Sequence, residues 1–464
     1  MTPWLILGFL LLLVNSGYLN AFPDANLFYI GNVLLHIGLG AVVTVGLLVS
    51  RAARRCAVPV AAVLLTGVAL AVVGAKTPYR WLVLVHIAAG LVATVALGLL
   101  WRSTVRRRAW AAWVAAVTLA VALVVASHIR QRFFPKLDDR IVNPAQAYLS
   151  MDEEGGGPSS PFFPSSSVTN VGGIIPSGFF MDSKACAECH KDIYDQWNSS
   201  VHHFASFNNQ FYRKSVEYMQ DVVGTQPSKW CAGCHDHAVF FNGRFERPIK
   251  DQIDTPEAHT GLGCMSCHSI TRVADSTGNG NFRMEYPPLH ELATSDNFLA
   301  RKAHNYLINT APEPHRRAFL KPFMRLDASE FCATCHKVHL DVPVNKYRWV
   351  RGFNEYDNWQ ASGVSGQGAR SFYYPAKSSN CVDCHMPLVP SKDAGHHKGF
   401  VHSHRFPGAN TAVPYVNRDA EQLRVTEQFL KDNIVSVDIF SVSPVEKDLG
   451  AQPMWRRGGE APAT

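Results

Sequence analysis

The chain has 464 residues, 47% of them hydrophobic and 17% charged, with a formal net charge of +7. Arg51, Arg54, Arg55, Arg102, Arg106, Arg107 and Arg108, in two short runs, equal that whole excess, so the charge reports membrane topology and excludes a basic nucleic-acid face. The apolar residues crowd into the first 128 positions, which excludes one uniform soluble domain.

Five apolar stretches come first: Trp4–Ala21, Leu27–Ser50, Cys56–Ala75, Trp81–Trp101 and Ala109–Ser127. Each approaches the ~20 residues that a helix needs to cross ~30 Å of hydrocarbon. They predict a five-helix transmembrane domain over 1–128. The arginines lie in the loops after the second and fourth stretches, so those loops belong in the cytoplasm. The expected location is a bacterial cytoplasmic (inner) membrane, with everything after Ser127 on the periplasmic, outer side.

The second and fourth stretches repeat. Leu35-His36-Ile37-Gly38-Leu39-Gly40 matches Val85-His86-Ile87-Ala88-Ala89-Gly90 at an offset of 50, and Thr44 and Thr94 continue the match. Ionisable residues inside a membrane are costly and face the bundle interior. A glycine one turn after each histidine leaves room for a flat macrocycle. One reading is a b-type haem with His36 and His86 as axial ligands, reduced by membrane quinol. The other is a pair of interhelical hydrogen-bonding groups. His128 reads as interfacial.

Residues 129–181 read as a linker. The runs Gly155–Pro161 and Ser165–Ser167 predict an exposed, disordered tether.

Ten of the eleven cysteines follow, in pairs spaced C-x-x-C: Cys186/Cys189, Cys231/Cys234, Cys264/Cys267, Cys332/Cys335 and Cys381/Cys384. A histidine follows each pair at once: His190, His235, His268, His336 and His385. Two thiols in this spacing bond the two vinyl groups of haem, and the next imidazole is then held under the macrocycle to ligate iron. Five pairs cannot be shared evenly among four-ligand zinc sites, and neither zinc nor disulfides require the adjacent histidine. Five haem c groups are therefore expected over 182–416. Covalent macrocycles would also supply a core that a loop-rich chain cannot otherwise build.

Residues 417–464 predict a helix at 420–432, capped by Asn417 or Asp419, a strand at 434–440 and a polar tail. The fold class is mainly α: a five-helix transmembrane domain followed by a loop-rich, mostly α-helical multihaem domain.

Cys186-Ala187-Glu188-Cys189-His190 is followed by Trp197, Ser200 and His202; His259 precedes Cys264 by five residues; and Cys381–His385 leads into Met386-Pro387 and then Ser403-His404-Arg405-Phe406-Pro407-Gly408. Over about 182–408 this pattern resembles the cytochrome c-554 family of multihaem c-type cytochromes. The resemblance implies closely packed haems, mostly with histidine on both faces, and His202, His259 and His404 as distal ligands. The two remaining sites would draw on His315 and His339, with His290 and His304 next; His203, His237, His396, His397 and His402 are weaker candidates. Iron with two histidines has no open position, which favours electron transfer, between the quinone pool and a redox partner protein, over catalysis. The alternative is an oxidoreductase, a reductase or oxidase of a small nitrogen or sulfur compound at one open haem.

Overall fold

A computed structural model describes residues 2–104, 107–134, 136–287, 290–368 and 374–432. The expected strand at 434–440 and the polar tail lie outside them. The described residues divide into a unit up to Phe406 and a second from Pro407.

Five helices long and apolar enough to cross a membrane open the chain: α1 (Pro3–Ala21), α2 (Leu27–Val49), α3 (Ala57–Val73), α4 (Arg80–Thr104) and α5 (Arg107–Phe133). They make this a multi-pass membrane protein. Neighbours in sequence pack on one another and α5 closes back onto α1, so the bundle is a ring. The Asn26 side chain caps α2 by accepting from Tyr29 N, and Gly74, at φ 81°, ends α3. The fifth helix runs on to Phe133, beyond the expected stop at Ser127, because Arg130 and Arg132 extend it past the apolar stretch. Phe9, Val43, Leu47, Cys56, Leu97 and Trp101 pack as the bundle's core toward the arginine loops, leaving the opposite half of the bundle to His36 and His86.

The remainder of this unit is helical and loop-rich, with three small sheets. Strands β1 (Val168–Thr169), β2 (Ile270–Val273) and β3 (Phe282–Met284) form one sheet, in the order β1-β3-β2. Strands β4 (Lys337–Leu340) and β5 (Val350–Asn354) form the second, and β6 (Leu388–Pro390) and β7 (Phe400–His402) the third. β2, β4 and β6 each begin within three residues of an attachment histidine, so the strands set how the chain leaves three of the motifs. The longer helices are α6 (Lys191–Asn198), α7 (Gln210–Val223), α8 (Thr225–His235), α9 (Phe298–Thr310) and α10 (Pro312–Phe319). Asn297 caps α9 through Leu299 N and Ala300 N, and Pro312 opens α10, where its missing N–H costs nothing.

The expectation of an exposed tether before the first motif is overturned at Ser165–Ser167, whereas Gly155–Pro161 is largely exposed. Met151, Phe162, Ser165, Ser166, Ser167 and Ile175 are each at most 3% exposed. Phe162, Ile175, Phe179 and Phe180 belong to the aromatic core with Phe207, Phe240, Phe241 and Phe282. The polar run is ordered by specific partners: Arg140 holds Asp327 through Nε at 2.8 Å and Nη2 at 2.6 Å, and Ser166 Oγ donates to Glu154 at 2.8 Å.

In the second unit, a helix at Ala420–Leu430 is capped by Asp419, whose side chain accepts from Gln422 N. Of the two expected caps, it is the one that forms the bond.

Candidate functional site

An imidazole bound through nitrogen at about 2 Å has its ring centre about 3.1 Å from the metal, so two on opposite faces lie about 6.3 Å apart. Four histidine pairs show this spacing. His190 and His315 have ring centres 6.3 Å apart, His268 and His404 6.3 Å, and His202 and His336 6.2 Å. In the bundle, His36 of α2 and His86 of α4 are 6.3 Å apart. The interplanar angles run from 8° to 88°, which rotation about a metal–nitrogen axis permits.

Three pairs join an attachment histidine to one remote in sequence. α6 and the turn after it place His202, α10 carries His315, and the chain beyond β7 brings His404 back. His404 N donates to Gln196 Oε1 of α6 at 2.9 Å, which fixes that return.

In three of the six paired imidazoles outside the bundle, and in both within it, Nδ1 has a hydrogen-bond partner. His190 Nδ1 donates to Asp393 Oδ1 at 2.7 Å, His268 Nδ1 to Phe319 O at 2.7 Å, and His404 Nδ1 to His402 O at 2.8 Å. His235, which has no such imidazole neighbour among the described residues, donates from Nδ1 to Ala205 O at 2.7 Å. In the membrane, His86 Nδ1 lies 2.9 Å from Thr66 Oγ1, whose hydroxyl proton goes to Ala62 O. His36 Nδ1 lies 3.2 Å from Asn15 Oδ1, and Asn15 Nδ2 donates to Asn32 Oδ1 at 2.8 Å. Such partners select the Nδ1–H tautomer and leave the Nε2 lone pair for a metal. Burial pushes His202 down to about 3, with His336 the next cause, and pushes His315 and His404 to about 4. All three are held as neutral imidazole, the form that ligates.

Four of the other candidate distal histidines turn Nε2 elsewhere. His259 Nε2 donates to Ile253 O at 2.6 Å. His339 Nε2 contacts Glu154 Oε1 at 2.6 Å inside a buried cluster with Asn279. His290 Nε2 meets Asp182 at 3.1 Å and His237 Nε2 meets Gly233 O at 3.0 Å, while His304 Nδ1 lies 3.2 Å from Asn305. His203 and His402 bond backbone carbonyls through Nδ1, and His396 Nδ1 accepts from Gly399 N.

The neighbour of His235 is Tyr212, stacked with ring centres 4.3 Å apart. The Tyr212 hydroxyl and Ser206 both donate to Asp236, which burial raises to about 7 against those two bonds.

The attachment cysteines also reach residues within or beside other motifs. Cys264 N donates to Ser183 Oγ at 3.1 Å beside the first motif, Cys234 Sγ to Thr334 O at 3.9 Å within the fourth, and Cys381 N to Ser329 Oγ at 3.3 Å beside the fourth. The motifs therefore neighbour one another as first–third, fourth–second and fourth–fifth. Among the described residues no group of three His, Cys, Asp or Glu side chains converges as a metal site, so the donor chemistry is that of paired imidazoles beside paired thiols, which fits haem.

Asp393, Asn15 and Thr66, the partners that orient three of these imidazoles, are absent from the sequence reading. Asp393 lies 203 positions from His190, and no local pattern announces the contact.

No curated protein and no solved structure matches this chain. Residues 185–269, which contain the first three motifs, match the family model described as cytochrome c554 and c-prime. Over that segment, less than a fifth of its length, the chain is similar to c-type cytochromes of that family, whose members carry covalently bound haem.

Proposed function

We propose that the chain carries electrons from membrane quinol, by way of one b-type haem and five haem c groups, to a redox partner on the periplasmic side of a bacterial inner membrane. The observation that carries this reading is the 6.2–6.3 Å spacing of four histidine pairs, three using an attachment histidine and one inside the bundle. Bound haem supplies one-electron chemistry at its iron. The protein's part is to attach, ligate and orient. The five cysteine pairs anchor five macrocycles. His190/His315, His268/His404 and His202/His336 close three irons on both faces, and His235 and His385 supply the first ligand of the other two.

For the b-type haem, Thr66 and Asn15 hold His86 and His36 with Nε2 free. A Cβ at Gly90 would meet no atom within 4 Å, and at Gly40 only Leu12 at 3.9 Å, so the ring faces one turn on are unobstructed. The arginine loops at one end of the bundle support placing the haem domain on the opposite side.

A pyridine haemochrome spectrum tests the count. Five c-type and one b-type haem per chain are expected, and His86→Ala should lose only the b-type signal. Absence of b-type haem from the wild type would end the membrane part of the reading.

A second reading rests on His235. With Tyr212 as the ring beside it, its iron is the candidate for an open position, where a small nitrogen or sulfur compound would be reduced or oxidised. A high-spin ferric signal in low-temperature electron paramagnetic resonance would favour this reading, and wholly low-spin signals the electron carrier.

A further inference from the structure

We propose that the haem row begins at the first attachment motif, and that the α9–α10 hairpin is the element positioning that motif over the outer end of the membrane bundle. This rests on the quinol-to-haem reading above.

The contacts between bundle and haem domain lead to one place. Ala75 N, in the α3–α4 turn, donates to Asn309 O of α9 at 2.8 Å. Gly74 lies so close that an added Cβ would sit 2.5 Å from the same oxygen.

The hairpin then reaches the first motif twice. Asn305 Nδ2 of α9 donates to Glu188 Oε2, between the two cysteines, at 2.8 Å. α10 carries His315, the partner of His190. One rigid element thus runs from the membrane surface to both faces of the first iron site.

The bundle presents its histidines at the same end. His86 is six residues into α4 and His36 nine into α2, about 9 and 14 Å from their outer ends at 1.5 Å per residue. The third motif neighbours the first, and the second and fifth neighbour the fourth. Quinol oxidation to quinone releases two electrons and two protons. His36 and His86 would hold the haem that takes these electrons one at a time, and His190 and His315 the haem that receives them next.

The test uses the full chain in membranes, mixed rapidly with a short-chain quinol while b-type and c-type absorbance are followed separately. Gly74→Val, which touches no ligand, pushes the turn off Asn309. Haem content and reduction of the c-type haems by dithionite should match wild type. Quinol-driven reduction of the c-type haems should slow by about tenfold or more, equivalent to ~1.4 kcal/mol in barrier, with b-type haem accumulating reduced. His315→Ala should give the same block together with one new high-spin signal. Wild-type c-type reduction in Gly74→Val, or a block in His202→Ala but not in His315→Ala, would overturn the proposal while leaving the quinol reading intact. Absence of b-type haem from the wild type would remove both.

Discussion

An imidazole offers Nε2 to iron only when nothing else claims that nitrogen, and this sets some of the candidate histidines aside. His190, His268, His404, His36 and His86 spend Nδ1 on a partner, whereas His259, His339, His290 and His237 spend Nε2. The partner's charge matters as well. His235 and His268 donate to backbone carbonyls, but His190 donates to the carboxylate of Asp393, whose side chain is wholly buried. A carboxylate pulls the Nδ1 proton and makes the imidazole a stronger donor, which favours ferric over ferrous iron. Asp393→Asn should therefore raise the reduction potential of one c-type haem and leave the others in place. A differential bond energy of about 1.4 kcal/mol corresponds to roughly 60 mV for one electron. A potentiometric titration followed by electron paramagnetic resonance reads this directly, and an unchanged set of potentials would remove Asp393 from the site. A first haem held low in potential would also make transfer onward along the row downhill.

At the scale of elements, the strongest sequence signals were long or repeated. The five apolar helices were legible because hydropathy runs ~20 residues, and the five C-x-x-C-H sequences stand out because their spacing is local. What escaped was short or non-local. β1 to β7 have two to five residues each, too few for an alternating pattern to stand out. Residues 151–169 read as a disordered tether because Gly, Ser and Pro are common in tethers, yet the same small side chains allow close backbone packing. A Cβ on Gly233 would sit 2.0 Å from Ser165 Oγ, and one on Gly280 2.7 Å from Ser167 Oγ. Glu154 anchors this segment: it is 3% exposed and accepts from Ser166 Oγ at 2.8 Å beside His339 Nε2 at 2.6 Å. Glu154→Ala should lower stability by about 3 kcal/mol, since two buried partners lose their acceptor. Denaturant unfolding followed by circular dichroism should show the drop, and trypsin should cut sooner after Arg140, with the number of attached haems unchanged.

For the whole molecule, the repeat at an offset of 50 places His36 and His86 on helices that run the same way through the bundle, which is why both can reach one plane. The sequence carried that symmetry, but it did not carry the pairing of His315 with His190 or the junction at Asn309, because both depend on how distant segments return. The direction of electron flow depends on a further global property, the side of the membrane on which the haem domain lies. On the proposed reading the ten cysteines would receive haem outside the cytoplasm, and the arginine loops at the other end of the bundle favour the same orientation independently. The two agree only if the α1–α2 and α3–α4 turns face outward. Single cysteines placed at Asp24 in the first turn and at Ser103, beside the second arginine run, would test this in intact cells after removal of the outer membrane. A membrane-impermeant maleimide should label Asp24→Cys and spare Ser103→Cys until the inner membrane is opened. The reverse pattern would put the attachment motifs in the cytoplasm, where the covalent haems on which the electron path depends could not be installed.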